Sequence, residues 1–184
     1  MGVRNLEQDL LKKMLMVHKI QRHDFMNHLQ VIYGYLQLGN LEKAKEYSLK
    51  AVESVKSYGQ FSKIPLPLLQ SFLLWFMTQI ENSGAVFAFI FEGNWQEWQD
   101  VDLELTKLLR ELLSSVQERL SANDLKCRLG FLENVADFSL VFIGREEDLN
   151  HLQEEKVTSQ SLVVVYEKVS SEKLVVTIKP DKNI

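Results

Sequence analysis

The chain has 184 residues, of which 46% are hydrophobic and 25% are charged, and its formal net charge is −4. These proportions exclude a disordered or fibrous chain and are typical of one globular domain, or of a small helical module followed by a second compact unit. The acidic balance and the absence of a basic block argue against nucleic-acid binding. The single cysteine, Cys127, excludes an intrachain disulfide and fits a reducing compartment.

The first 58 residues have the pattern of two antiparallel helices. Between Leu6 and Leu38 there is no proline, and the only glycine is Gly34. Apolar residues recur at helical spacing, and Leu38-Gly39-Asn40 predicts the end of the helix. A second amphipathic helix is predicted from Leu41 to Tyr58. On the first helix, one apolar stripe holds Leu11, Leu15, Met26, Leu29 and Leu36, a second holds Leu10, Met14, Val17, Ile32 and Tyr35, and a polar strip holds Lys12, Lys19, His23, Asn27 and Gln30.

The apolar arc of this hairpin is too wide for two helices to cover by themselves. Either the rest of the chain covers the arc or a second hairpin does. Two hairpins packed together make a four-helix bundle. We therefore predict a homodimer through residues 6–58.

The remainder of the chain predicts an α+β sandwich, with helices on one face of a sheet. The predicted domains are residues 1–62 and 63–184. The apolar stretch from Ile64 to Ile80 contains two prolines and is short for a membrane span, and the N-terminus lacks the pattern of a secretory leader, so we expect a soluble cytoplasmic protein. The predicted helices are Pro65–Ile80, Leu103–Leu120 and Glu146–Glu155, and the predicted strands are Ala85–Phe91, Leu125–Leu132, Phe138–Ile143, Leu162–Val169 and Lys173–Lys179.

Cys127 falls in a predicted strand, and we interpret it as a structural residue. The alternative is a reactive thiol, because the neighbouring Lys126 and Arg128 could lower its pKa.

Three of the four histidines, His18, His23 and His28, lie on the first predicted helix at intervals of five residues. Successive members point roughly 140° apart, whereas zinc-binding helices use a spacing of four, so we expect no metal site. The doublet His23-Asp24 also occurs in metal-dependent phosphohydrolases. Those enzymes need a further histidine well upstream and an aspartate well downstream, and this alternative is weakly supported.

His23 on the polar strip is the strongest candidate for chemistry. An imidazole is largely uncharged near neutral pH and is then a nucleophile that can take up a phosphoryl group. Arg22 could offset phosphate charge, Asp24 could orient the ring, and Asn27 lies one helical turn further on. Lys19, Gln30 and Gly34 lie near His23 on the strip and are candidate partner contacts. An exposed histidine on a bundle helix is more often without any function.

The segment from Arg22 to Gly34, RHDFMNHLQVIYG, closely resembles the phosphoacceptor motif of sporulation initiation phosphotransferases and of the sensor histidine kinases most similar to them. The resemblance implies that His23 is phosphorylated and that Arg22, Asp24 and Asn27 flank it. It also implies a dimeric four-helix bundle, followed by an α/β domain like the ATP-binding domain of a histidine kinase.

The second half departs from a kinase where ATP would bind. A kinase has Leu-Leu-x-Asn-Ala where this chain reads Leu112-Leu113-Ser114-Ser115-Val116, and the asparagine helps to hold magnesium. After residue 93 only Gly130 and Gly144 remain, 14 residues apart, so the glycine-rich turns that approach phosphates are missing. We expect no ATP binding and no cofactor in this chain.

The resemblance then implies a relay between two response-regulator receiver domains, the second of which controls sporulation. Phosphate would pass from the aspartyl phosphate of one receiver to His23 and on to an aspartate of the other, with Mg²⁺ bound by the receivers. The alternatives are an ATP-dependent sensor kinase and a non-catalytic scaffold that binds receivers.

Overall fold

The computed structural model describes residues 3–80, 86–119, 126–131, 137–154 and 157–181. The chain divides into two compact units, Met1–Lys63 and Ile64–Ile184, here called the helical unit and the sheet unit. The ends predicted at Ala85, Leu120, Leu125, Leu132 and Glu155 lie outside the described residues.

The helical unit consists of α1 (Val3–Gln37), α2 (Leu41–Gly59) and a short 3-10 helix (Gln60–Lys63). Helix α1 ends in a Schellman turn, since Gly39 has a φ of 68° and its N–H donates to the Leu36 carbonyl, while Asn40 N–H donates to Tyr35. The Asn40 side chain then accepts from the N–H of Lys43 and caps α2. Three residues between the helices therefore suffice to reverse the chain.

Tyr47 of α2 marks the side on which the two helices meet. Its hydroxyl lies 3.2 Å from Nδ1 of His28, and its ring also contacts Tyr35, with centroids 6.3 Å apart. His28 and Tyr35 are two helical turns apart on α1, so Tyr47 lies between them. Ala44 and Ala51 lie on the same side of α2, where Ala44 is buried and Ala51 is half-buried.

The described residues of the sheet unit form three α-helices and five strands. The helices are α3 (Pro67–Ile80), α4 (Asp102–Arg119) and α5 (Glu146–Glu154), and a 3-10 helix (Gln96–Val101) precedes α4. The strands are β1 (Val86–Ile90), β2 (Lys126–Phe131), β3 (Phe138–Ile143), β4 (Leu162–Ser170) and β5 (Lys173–Pro180).

The strands form one sheet in the order β1-β2-β3-β5-β4, in which only β1 and β2 run parallel. Alternation along β2 buries Cys127 and Leu129 and leaves Lys126 and Arg128 exposed, which is the pattern of a sheet with one face on the core. The parallel pair needs a crossover, and α4 lies between β1 and β2 in the chain.

The core of the sheet unit is aromatic. Phe138 is fully buried, with ring centroids 5.5 Å from Phe131, 5.9 Å from Trp98 and 6.0 Å from Trp95, and most of these pairs are edge-to-face. Asp102, the first residue of α4, accepts from the N–H groups of Leu68 and Leu69 at 2.9 Å and so caps α3. This cap ties the two helices together where α4 begins.

The predicted fold class is confirmed: a pair of long N-terminal helices is followed by a mixed sheet with helices. The two 3-10 helices were not predicted, because segments of four and six residues are too short to show a period. No helix in the described part of the chain has the length and apolar character that crossing a membrane requires.

Candidate functional site on helix α1

His23 lies in the middle of α1, in a stretch with no helix-breaking residue. Its side chain is 73% exposed and that of Asp24 is 50% exposed. A regular helix holds the backbone of His23 rigidly, so the imidazole is presented to solvent from a fixed position.

Two neighbouring side chains contact the same ring nitrogen of His23. Asp24 Oδ1 and Asn27 Nδ2 each lie 3.2 Å from Nδ1. No hydrogen bond from the described residues reaches Nε2. Nε2 is therefore the ring nitrogen that neither Asp24 nor Asn27 contacts.

The two contacts require opposite proton states of Nδ1. Asp24 can only accept, so its contact needs a proton on Nδ1 and leaves a lone pair on Nε2. The Asn27 amide nitrogen can only donate, so its contact needs a lone pair on Nδ1 and places the proton on Nε2. A half-turn of the Asn27 amide presents its oxygen instead, and both side chains then favour the tautomer in which Nε2 is nucleophilic.

Helix α1 presents three different faces, since successive residues are about 100° apart. The first meets α2 through His28 and Tyr35. The second is an exposed apolar surface, here called the open stripe, which consists of Leu11, Leu15, Phe25, Met26, Leu29, Tyr33 and Leu36. The third carries His23 and lies roughly 120° from the other two.

The face that carries His23 is the predicted polar strip. Lys12, Lys19, Asn27, Gln30 and Gly34 all lie within about 40° of His23 on a helical projection. Apart from the half-buried Gly34, these residues are exposed. The structure therefore brings Lys19, Asn27, Gln30 and Gly34 onto one surface with His23.

Arg22 does not belong to this surface. It projects about 100° away from His23, in nearly the same direction as Leu29 on the open stripe. Its side chain is exposed, and it forms no contact with His23 or Asp24.

Within the helical unit, His28 lies against Tyr47. Within the described ranges, no group of three His, Cys, Asp or Glu side chains lies close enough to hold a metal ion.

The two glycines that follow residue 93, Gly130 and Gly144, both lie in the sheet unit. Gly130 has a φ of 143°, and a Cβ there would lie 1.9 Å from the carbonyl oxygen of Ile90, so β1 and β2 need a glycine at this point. The N–H of Gly144 donates to the carbonyl of Glu172 at 3.1 Å. Ser115 lies within α4.

Cys127 is a buried residue of β2, and burial raises the pKa of its thiol well above the ordinary value. Lys126 and Arg128 lie on the opposite face of the strand, so they do not lower it. The alternative of an activated thiol is therefore wrong, and the structural interpretation agrees with the observed burial.

The contact between His28 and Tyr47 was not foreseen. Tyr47 follows Ala44 by three residues and precedes Ala51 by four, so it continues the side of α2 that faces α1. The helical period contained this signal, but a tyrosine in an apolar seam gives no indication of its hydrogen-bond partner.

Residues 3–64 match the family model for the alpha-helical domain of SpoOB-type sensor kinases. A search of the curated proteins finds no match. Among solved structures, a 1.7 Å structure of a bacterial phosphotransferase covers 97% of this chain and 98% of its own, at 13% identity and a TM-score of 0.38. This match covers the helical unit, whose motif from Arg22 to Gly34 also resembles that of sporulation phosphotransferases.

Proposed function

We propose that this protein is a phosphorelay phosphotransferase that carries a phosphoryl group on His23 between two response-regulator receiver domains, the second of which controls sporulation. The observation that supports it most is the geometry of His23: an exposed imidazole on a rigid helix, with both side-chain contacts on Nδ1 and none on Nε2. The family model that residues 3–64 match supports the same class of reaction.

The chemistry consists of two in-line displacements at phosphorus. In the first, the Nε2 lone pair of His23 attacks the aspartyl phosphate of the donor receiver. The N–P bond forms, the O–P bond breaks, and its electron pair stays on the receiver carboxylate. In the second, a carboxylate of the acceptor receiver attacks the phosphohistidine, the N–P bond breaks, and its electron pair returns to Nε2.

Asp24 and Asn27 are positioning residues in this proposal. A carboxylate that accepts from Nδ1–H holds the ring in the tautomer with a free Nε2 and stabilises the positive charge that the ring gains when Nε2 forms its bond to phosphorus. Asn27 assists when its amide oxygen faces Nδ1. Arg22 contributes charge near the site without touching His23.

The assembly we propose is a homodimer through residues 6–58. Of the 18 large apolar side chains exposed among the described residues, 14 belong to the helical unit, and half of these form the open stripe of α1. Leu41, Val52 and Val55 continue the exposed apolar surface on α2. A surface of this extent on a small unit marks an interface, and a second hairpin covers it in a four-helix bundle while leaving the polar strip free.

The sheet unit, in our proposal, binds no ATP and no other cofactor, and any Mg²⁺ belongs to the receivers. Gly130 and Gly144 each have a role in the sheet, and the asparagine of a kinase is replaced by Ser115. We place the reaction in the cytoplasm, and membranes and nucleic acids have no part in it.

Phosphate transfer to His23 is the direct test. The full chain is mixed with a phosphorylated receiver domain in one reaction and with labelled ATP in another. We expect label from the receiver and none from ATP, and loss of that label in His23→Gln. Label from ATP alone would establish a sensor kinase instead. Binding of a receiver without any label would establish a scaffold.

Asp24→Asn tests the tautomer argument with a change of one atom type. The amide loses the negative charge that stabilises the cationic ring and, unlike the carboxylate, can donate to Nδ1 and favour the wrong tautomer. We therefore expect the transfer rate to fall on the order of 10²-fold, as when general acid–base assistance is lost. The exposed Glu53→Gln on α2 makes the same kind of change, from carboxylate to amide, away from the polar strip and is the matched control. Equal rates for Asp24→Asn and the parent protein would show that Asp24 has no role.

A further inference from the structure

Gly34 is a glycine in the interior of α1, where glycine is the poorest helix former apart from proline. Packing within the helical unit does not require it. Apart from its two chain neighbours and the backbone of its own helix, no atom of that unit lies within 4 Å of a Cβ built at Gly34. By contrast, a Cβ at Gly93 or Gly130 collides with neighbours at about 2 Å, so in those places the fold itself demands glycine.

Helix termination does not require Gly34 either. The turn after α1 is completed by Gly39, whose positive φ permits the hydrogen bonds from Gly39 to Leu36 and from Asn40 to Tyr35. Gly34 lies five residues earlier and only contributes an ordinary helical carbonyl, which accepts from the N–H of Leu38.

The proposed dimer does not approach Gly34. The open stripe is centred near Leu29, about 140° around the helix from Gly34. The side of α1 that faces α2 is marked by Tyr35, which contacts Tyr47 and projects about 100° away from Gly34. Gly34 therefore faces outward between the surfaces that α2 and a second hairpin cover.

What Gly34 does share is the surface of His23. It lies 11 residues further along α1, which is about 16 Å and only about 20° around the helix. A receiver of about 100 residues has a radius of gyration near 13 Å, so a single domain spans this distance.

The charge of the polar strip indicates the kind of partner. From Lys12 to Gln37 the charged residues of the strip itself are two lysines, although the whole chain has a net charge of −4. The Asp24 carboxylate beside the strip is engaged by the His23 ring. A cationic surface on an acidic protein favours a partner with an acidic face. A receiver phosphorylation site, with its aspartate, metal-binding carboxylates and phosphoryl group, is such a face.

We propose that Gly34 is a docking residue: a receiver that exchanges phosphate with His23 lays part of its surface directly on the bare backbone of α1 at Gly34. This inference rests on the proposed function. The lysine end of the strip attracts the acidic phosphorylation site, and Gly34, beyond Gln30, lets the two backbones approach more closely than a side chain would permit.

Gly34→Ala separates docking from folding, because it changes the two in opposite directions. The methyl group has room within the helical unit and improves helix propensity, so we expect the melting temperature to rise by about 2–4 °C. In the docked complex the same methyl overpacks the interface, and we expect the rate of transfer from a phosphorylated receiver to fall about tenfold or more. Gly34→Leu extends the series, with a larger loss of transfer.

Phosphoramidate is a small phosphoryl donor that needs no docking surface. If Gly34→Ala distorted the surroundings of His23, the rate of labelling by phosphoramidate would also change. We expect its rate at His23, after subtraction of the His23→Gln background, to be the same in Gly34→Ala and the parent protein. Glu53→Ala, an exposed change in the interior of α2, is the matched control and leaves both rates unchanged.

The two levels of the proposal fail in different ways. If the parent protein accepts phosphate from a receiver and Gly34→Ala and Gly34→Leu do so equally well, docking at Gly34 is wrong and the relay function stands. If both donors lose rate together, Gly34 acts on His23 through the helix and the docking role is again wrong. If the parent protein takes no phosphate from phosphorylated receivers, the relay function falls and this inference with it.

Discussion

The two units of this protein use apolar residues in opposite ways. In the sheet unit, large side chains such as Phe138 and Trp98 are fully buried. In the helical unit, residues such as Leu15 and Leu29 are 65% and 44% exposed, and His23 also faces solvent. The sheet unit buries its core within one chain, whereas the helical unit leaves a large apolar surface exposed.

This difference follows from geometry. A mixed sheet with helices on one face encloses side chains between two layers, so one chain suffices to bury them. Two helices touch along a single line, and the sides of each helix away from that line remain open. Exposed apolar side chains on a helical hairpin therefore indicate association with another chain. Exposed apolar side chains at the core of the sheet unit would instead indicate a packing defect.

The largest effect should come from a charge placed on the open stripe. In Leu29→Glu, the proposed dimer would bury an added carboxylate from each chain, and since each buried ion costs several kcal/mol, we expect the dissociation constant to rise by roughly 10³-fold or more. Sedimentation at micromolar concentration measures the change from dimer to monomer.

Gln30→Glu introduces the same charge one residue later, on the polar strip, and should leave the dimer intact. A parent protein that sediments as a monomer, or a Leu29→Glu variant that stays dimeric, would show that the open stripe is not the interface.

A smaller effect, confined to the sheet unit, should follow from a cavity in its aromatic core. Removal of the buried ring in Phe138→Ala deletes contacts with Phe131, Trp95 and Trp98, and we expect a loss of about 3–5 kcal/mol in the free energy of unfolding. All three tryptophans of the chain lie after residue 63, so their fluorescence during urea unfolding reports on this unit.

Val165→Ala is the control, because its side chain is 47% exposed on β4, and the loss there should stay below about 1 kcal/mol. Equal losses at the two positions would contradict the contrast between a closed core and an open surface.

The sequence predicted the elements of both units well, but it predicted contacts well only where they are local. Helical spacing separated the two apolar stripes of α1 and the polar strip, because a period within one helix depends on that helix alone. It also placed Asn27 within reach of His23. It did not reveal that Asp24 and Asn27 compete for one nitrogen, since that depends on side-chain rotamers.

Longer-range features were out of reach for a related reason. The parallel pairing of β1 with β2 and the capping of α3 by Asp102 join segments more than 30 residues apart. Neither leaves a local pattern in the sequence. Cys127 shows what local pattern can do: its place in a predicted strand led to the structural interpretation in spite of its basic neighbours, and the thiol is buried.

The smallest predicted effect uses that cysteine to probe the closed unit. Burial raises the pKa of the Cys127 thiol, so the folded protein keeps a proton that the unfolded chain releases above the ordinary thiol pKa of about 8.5. The unfolded state then binds fewer protons, and stability falls as pH rises, by at most about 1.4 kcal/mol per pH unit. Urea unfolding of the parent protein and of Cys127→Ala at pH 8 and at pH 10 measures this contribution as the difference between their two pH dependences.

Other titrating groups contribute equally to the pH dependence of the parent protein and of Cys127→Ala, so their contributions cancel in the difference. Tyr166 is one of these groups, and burial, together with the charge of Glu111, raises its pKa. The folded thiol should also fail to react with a disulfide reagent at pH 8 and should react fully in urea, because the reactive thiolate forms only after the unit opens. Rapid reaction of the folded protein, or identical pH dependences of the two proteins, would mean that the core of the sheet unit admits solvent, and the contrast with the helical unit would then be one of degree.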